Sequence, residues 1–186
     1  PRGRWILVDA GPRTDRYDAG ARAVLPYLRR RGASGLELLV LTHPDMDHVG
    51  GAGAIRREYP VGGVMDPGMA VGTEVFLDAL EGARDREVPW TVGAAGDSLG
   101  LDGVAIRVLW PPEEKGELGA ADGANGVSLV LEVRLGSFSA LLTGDAPAEV
   151  EETILPQLLS TSIQVLKLGH HESRTSTSPE LLERIT

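Results

Sequence analysis

The run Leu36-Glu-Leu-Leu-Val-Leu41 leads directly into Thr42-His-Pro-Asp-Met-Asp-His-Val-Gly-Gly51, and this junction constrains the fold more than any other part of the chain. A near-continuous apolar run of this length is expected of a strand covered on both faces. Where such a strand ends, the next residues form a loop, and here the loop carries His43, Asp45, Asp47 and His48. The chain has 4 histidines. The other two, His170 and His171, follow a second strand-like run, Ile163-Gln-Val-Leu-Lys-Leu168. Histidines placed for packing alone would not be confined to two strand ends of the same kind.

Strand and helix patterns alternate around these two points. Arg4–Val8 reads as a strand closed by the turn residues Asp9-Ala-Gly-Pro12. A helix is predicted over Ala21–Arg31, with Val24, Leu25 and Leu28 on one face and Gly32 and Gly35 ending it. Leu36–Leu41 is the buried strand; Gly51–Tyr59 forms a short helix and Val61–Met65 a strand. Thr73–Arg86 has Val75, Phe76, Ala79 and Leu80 at helical spacing. The second half is richer in strand: Trp90–Val92, Val104–Trp110, Val127–Leu135 and Ser137–Leu142, the last two joined at Gly136 as a hairpin. Between them Pro111–Gly126 is a polar loop. Ala148–Leu159 is predicted helical and Ile163–Leu168 extended. Ser178–Ile185 is predicted helical, with Ser178 as N-cap and Pro179 in the first turn. The class is α/β, helices layered on a mixed sheet, in one domain.

Composition narrows the function. There is no cysteine, which excludes disulfides and thiolate metal sites. No apolar stretch approaches the roughly 18 residues that span a bilayer. Pro1 is not a native start, so the chain reads as a soluble piece cut from a longer polypeptide. The net charge of −9 argues against a broad nucleic-acid footprint, although bound cations would offset part of it. Arginines crowd the first 31 residues, from Arg2 to Arg31, as a solvated helix face or as a phosphate-facing surface.

Imidazole nitrogens and carboxylate oxygens bind zinc-like ions at roughly 2.0–2.2 Å. Residues two apart in turning backbone can converge on one ion, while an adjacent pair points apart and can serve a neighbouring one. His43 with Asp45, and Asp47 with His48, therefore suit two ions side by side. Gly50 and Gly51 leave room for close backbone approach. The plainer alternative is a polar turn whose aspartates cap the next helix, which leaves both histidines unexplained. Asp145, in Leu141-Leu-Thr-Gly-Asp145, is either the N-cap of the following helix or a carboxylate bridging two ions. His170 and His171 should point differently, and His171 is the preferred ligand of the two. The run Ser173-Arg-Thr-Ser-Thr-Ser178 offers hydroxyls and a guanidinium to an anion, or is a loop ending in an N-cap.

These blocks, in this order, resemble the metallo-β-lactamase superfamily. Asp9-Ala-Gly-Pro12 is similar to its early strand-end motif, His43-Pro-Asp-Met-Asp-His48 to its H-x-[HD]-x-D-H signature, Thr143-Gly-Asp145 to its bridging-aspartate motif and Gly169-His-His171 to its late histidine motif. Leu39–Gly51, Asn125–Leu131 and Leu166–Thr177 further resemble the C-terminal domain of ComEC-type competence DNA-uptake proteins. Asp45 stands where histidine is commonest in the superfamily, Asn125 in the region of another ligating histidine, and Glu172 where glycine is usual.

The resemblance implies a four-layer αββα sandwich, truncated at both ends: its usual first strand would precede Pro1, and a later histidine-bearing strand would follow Thr186. Residues 1–186 would be one hydrolase domain of a longer protein of the bacterial cell membrane, whose channel portion is its partner. It implies metal-dependent phosphodiester hydrolysis, a nuclease degrading the DNA strand that is not imported, with single-stranded DNA as substrate. Asp47, His43, His48 and Asp145 would be catalytic. The metal ligands would be His43, Asp45, Asp47, His48, Asp145, His171 and His170. Ser173, Arg174, Thr175, Ser176 and Asn125 would contact substrate. Two divalent ions, Mn or Zn, fit a set in which carboxylates favour manganese while imidazoles keep zinc. Three carboxylates and one hydroxide would balance two such ions, leaving a centre that does not repel a phosphodiester. Rival expectations are a lactonase or small-molecule phosphodiesterase, and a metal-free docking domain.

Overall fold

The apolar run becomes an inner strand of a parallel sheet. The computed structural model describes residues 3–69, 88–114, 123–160, 162–170 and 175–185, and the chain forms two compact units, Arg2–Val92 and Gly93–Thr186. In the first, β1 (Ile6–Val8), β2 (Leu38–Val40), β3 (Val64–Asp66) and β4 (Trp90–Val92) lie in that order, every pair parallel. Leu39 faces Leu7 on one side and Val64 on the other. Leu39, Val40 and Leu41 are no more than 1% exposed, as a strand covered on both faces requires.

Parallel neighbours need crossovers, and helices supply them. Between β1 and β2 a π-helical turn, Gly20–Val24, runs into α1 (Leu25–Arg30) and buries Leu25 and Leu28. Gly32 stops the helix in the left-handed region (φ 71°), its N–H and that of Ala33 returning to the Arg29 and Leu28 carbonyls. Between β2 and β3 come α2 (Met46–Val49) and α3 (Ala52–Glu58). Leu25, Leu28, Leu39, Leu41, Val49, Ile55 and Val64 share one core. Burying each such side chain stabilises by about 1.5–3 kcal/mol. The metal-binding residues expected in a loop are thus partly on a single helical turn. The helix predicted over Thr73–Arg86 lies outside the described residues.

The second unit is a mixed sheet in the order β5 (Ser98–Leu101), β6 (Val104–Trp110), β7 (Val130–Leu135), β8 (Phe138–Leu142), β9 (Val165–Lys167). The first four are antiparallel, while β8 and β9 are parallel with Leu142 beside Lys167. β5 was not expected from the sequence. Its signal is Asp102-Gly103, both at positive φ (50° and 83°), a tight hairpin turn into β6. The helices α4 (Ala148–Ile154) and α5 (Pro179–Arg184) cover this sheet, with Val150, Ile154 and Leu181 packed against Leu109, Val130 and Leu141. Ser178 caps α5 as expected, its Oγ accepting from Leu181 N at 3.2 Å. Glu151, fully buried on α4, accepts from Thr177 N and Ser178 N at 2.7 Å each and fastens the segment leading into α5.

One close approach in the first unit has a direct consequence. Gly51 N donates to Gly11 O (2.9 Å) and Ala10 N to His48 O (2.7 Å), drawing the turn after β1 onto the α2–α3 junction. A Cβ on Gly51 would collide with Ala10 O and with the Gly20 backbone. Backbone cannot swing away as a side-chain tip can. Gly51→Ala is therefore expected to destabilise the fold by about 1–3 kcal/mol, the usual cost of overpacking, measured as a lower urea midpoint at unchanged slope.

Candidate metal centre

In the first unit the site begins at Asp9, the residue after β1. It adopts a left-handed backbone (φ 60°), uncommon outside glycine though more accessible to aspartate. Asp9 N donates to Val40 O at 2.8 Å, extending the β1–β2 pairing past the strand. The carboxylate then takes three donors: Thr42 N at 2.8 Å, Thr42 Oγ1 at 2.8 Å and His48 Nδ1 at 2.7 Å.

These bonds assign tautomers. A carboxylate only accepts, so neutral His48 carries its proton on Nδ1 and its lone pair on Nε2. The single hydroxyl proton of Thr42 goes to Asp9. Towards His43 Nδ1, 3.0 Å away, Thr42 Oγ1 must therefore accept. His43 likewise carries its proton on Nδ1. Both imidazoles are left in the form that ligates through Nε2, with Asp9 and Thr42 as the outer partners that metal-binding histidines require. The rings lie 4.1 Å apart between centroids, tilted by 51°.

Two carboxylates stand beside the imidazoles. Asp45 Oδ2 lies 3.7 Å from His43 Nε2, and Asp47 Oδ2 lies 3.8 Å from His48 Nε2. Both gaps exceed a hydrogen bond. They are close to the roughly 3.4 Å between two donors on one tetrahedral ion with ligands near 2.1 Å. Asp45 occupies the N-cap position of α2, yet its side chain makes no capping bond. The capping alternative is not realised there. The imidazole side chains are 0% and 5% exposed and the carboxylates 50% and 47%, so apolar packing fixes the rings while the acids face water.

In the second unit, the parallel pairing of β8 with β9 sets the turn after one beside the turn after the other. Asp145 follows Gly144, which sits at φ 57°. Pro147, not Asp145, is the N-cap of α4, so the capping alternative fails here too. The Asp145 side chain is 3% exposed, and its Oδ1 accepts from Lys167 Nζ and His170 N, each at 3.2 Å. Asp145 N donates to Ser128 Oγ at 3.1 Å. Asn125, Asp145, His170 and Thr175 help line a cleft of about 280 Å³, together with Pro147 and Glu149. Ser176 is placed differently. It is 7% exposed, and its hydroxyl donates to Gly169 O at 2.9 Å, shaping the loop. His171, Ser173 and Arg174 lie outside the described residues.

Sequence reasoning gave no role to Asp9, Thr42 or Lys167. Asp9 stood in a quoted motif, and Lys167 was a lone charge in an apolar strand run; both were visible signals. Thr42 carried no signal of its own.

The donor set fits metal chemistry: Nε2-presenting imidazoles, carboxylates and no thiolate. The chain matches the family model described as the metallo-beta-lactamase superfamily over residues 1–186. It belongs to the metallo-β-lactamase superfamily. It is 30% identical over 197 residues to ComE operon protein 3 of Bacillus subtilis (strain 168), covering 99% of this chain and 24% of that protein. It is 34% identical over 183 residues to Recombination protein 2 of Haemophilus influenzae, covering 98% and 21%. To Competence protein ComA of Neisseria gonorrhoeae it is 31% identical over 191 residues, covering 100% and 24%. The narrower likeness to ComEC-type competence proteins thus extends over the whole chain, which spans about a quarter of the length of these relatives. A solved B3 metallo-β-lactamase with an active-site glutamic acid aligns at 15% identity and TM-score 0.54, over 97% of this chain and 76% of that one. That likeness gives the fold, the expected metallo-β-lactamase α/β architecture. No helix of the described residues is long and apolar enough to cross a membrane.

The tautomer assignment is testable. In Asp9→Asn an amide NH₂ faces donors that the carboxylate accepted. Metal affinity, measured by chelator competition, is expected to fall by roughly 10–100-fold. Unchanged affinity would show that Asp9 does not set the imidazoles.

Proposed function

We propose that this domain hydrolyses phosphodiester bonds with two divalent metal ions, manganese or zinc, and that its substrate is DNA, the strand not imported during competence uptake. Residues 1–186 would act as one hydrolase domain of a longer membrane protein, with the remainder as its channel. The observation that carries the chemistry is the Asp9–Thr42 pair, which leaves His43 and His48 in the ligating tautomer. The likeness to competence proteins supports the substrate.

His43, Asp45, Asp47 and His48 are the proposed metal ligands of the first unit, and Asp145 with one of His170 and His171 those of the second. Bound ions would polarise the phosphorus–oxygen bond and raise the hydroxide character of water at neutral pH. The protein's own residues then do the orienting. Asp9 and Thr42 hold the imidazoles at one angle. The bonds to Asp145 Oδ1 hold that carboxylate in place. Asn125 and Thr175, at the cleft, are suited to hydrogen-bond phosphate or sugar, and Ser173 and Arg174 are proposed as further substrate contacts, whereas the Ser176 hydroxyl is committed to Gly169 O.

A second reading, hydrolysis of a lactone or a small phosphodiester, is favoured by one observation, the net charge of −9, because nucleic-acid surfaces are usually basic. Elemental analysis of the purified domain comes first; a metal-free protein that also takes up no added manganese or zinc would leave only a docking role. With metal bound, the domain is expected to cleave single-stranded DNA and to leave lactones untouched. Asp47→Asn is expected to lower cleavage by on the order of 100-fold or more, the scale of losing a positioned catalytic group. Lactone turnover without DNA cleavage under any divalent ion would overturn the nuclease assignment.

A further inference from the structure

Lys167 is the only lysine or arginine on β9, in an otherwise apolar stretch, Val165-Leu-Lys-Leu168. Its side chain turns neither to a surface acid nor fully to solvent. Nζ donates to Gly144 O at 2.6 Å and to Asp145 Oδ1 at 3.2 Å. The strand holding it is fixed from the same turn: Thr143 Oγ1 donates to Lys167 O at 3.0 Å, and Leu142 is its register partner. One lysine thus spans the Thr143-Gly-Asp145 turn, holding the carbonyl of Gly144 and the carboxylate of Asp145 together. The lysine side chain is 37% exposed and the aspartate 3%, so the buried partner is the one whose rotamer the contact decides.

We propose that Lys167 is a positioning residue for Asp145: together with His170 N it engages Oδ1 and holds the carboxylate in one rotamer. This rests on Asp145 being a metal ligand, as proposed above. A buried carboxylate with both oxygens open can rotate between one- and two-oxygen coordination. With Oδ1 held by an ammonium and a backbone amide that rotation is restricted, and the amide ties the carboxylate to the backbone of His170. Charge acts in the same direction. The ammonium keeps Asp145 compensated while no ion is bound, so the buried carboxylate can be retained in its binding pose. A point charge with rotatable donors suits this better than a planar guanidinium, whose fork would have to match two oxygens set at an angle.

The test is a cycle of Lys167→Met, Asp145→Asn and the double variant, each assayed for manganese and zinc affinity by chelator competition, with folding followed by circular dichroism. Lys167→Met is expected to weaken metal binding by roughly 10–100-fold, the scale of losing an outer partner of a ligand. In the Asp145→Asn background the same change is expected to cost little, because the group it positions is gone. A merely structural lysine would lower affinity equally in both backgrounds, and that result overturns the proposal, as does wild-type affinity in Lys167→Met. Should the methionine variant not fold, Lys167→Gln takes its place in the same cycle with the same outcomes. If the wild-type domain binds neither metal, it is the metal-centre assignment itself that fails; if it binds and the cycle shows no coupling, only the role of Lys167 does.

Discussion

The arrangement of the first unit depends on a single carboxylate accepting three hydrogen bonds. Asp9 can reach Thr42 and His48 only because β1 pairs with β2 in parallel, with Val8 beside Val40, and because its own backbone turns left-handed at the strand end. From there the consequences follow by counting protons. An acceptor on His48 Nδ1 fixes one ring. A hydroxyl with one proton, already given to Asp9, fixes the other. The geometry decides which nitrogen is available. Packing then holds it, since Val49 and Leu41 on either side of the turn are buried in the same core.

The second unit uses the same device with different chemistry. The β8–β9 pair is the only parallel pair in a sheet otherwise antiparallel among the described residues, and it lies at the site. Parallel neighbours end on the same side, so turns far apart in sequence meet there: residue 9 with residue 42 in one unit, residue 145 with residues 167 and 170 in the other. An antiparallel partner would have carried each second turn to the opposite edge. This is why ligands in α/β sheets gather beyond the carboxyl ends of parallel strands. In the first unit an acid orients imidazoles; in the second a lysine and an amide orient an acid.

What could be read from the sequence was whatever depends on local composition. Trp90–Val92 and Val104–Trp110 form as strands with the expected bounds, and Ser178 caps its helix, because alternation and capping are short-range properties. The donor residues stood out because histidine is rare here and falls at strand ends. Roles that depend on a register were not legible. Nothing near Thr42 announces that its hydroxyl is shared by an aspartate 33 positions earlier and an adjacent imidazole. Lys167 acts on Asp145 through a strand pairing that one-dimensional reasoning did not specify. Asp45 sits at the N-cap position of α2 without a capping bond, and Asp145 lies two residues before the N-cap of α4. Ser98–Leu101 is not legible as a strand because four residues with an internal glycine carry little strand propensity, while the Asp-Gly turn that follows carries the information instead.

The acidity of the chain bears on substrate less than its size suggests. Charges more than about 8 Å apart across solvent are largely screened at physiological salt, so an approaching anion responds chiefly to the groups of the turn it meets. Asp9, Asp45, Asp47 and Asp145 account for four of the 27 acidic residues, and all four belong to the turns that carry the proposed ligands. On the proposed reading three of them are offset by cations and the fourth is committed to Thr42 and His48, while Lys167 adds a positive charge beside Asp145. The balance at each turn is then less negative than the total, and the arginines of the first 31 residues precede the His43–His48 turn in the same unit. Net charge is a property of the whole chain; the balance within these turns decides whether an anion can approach.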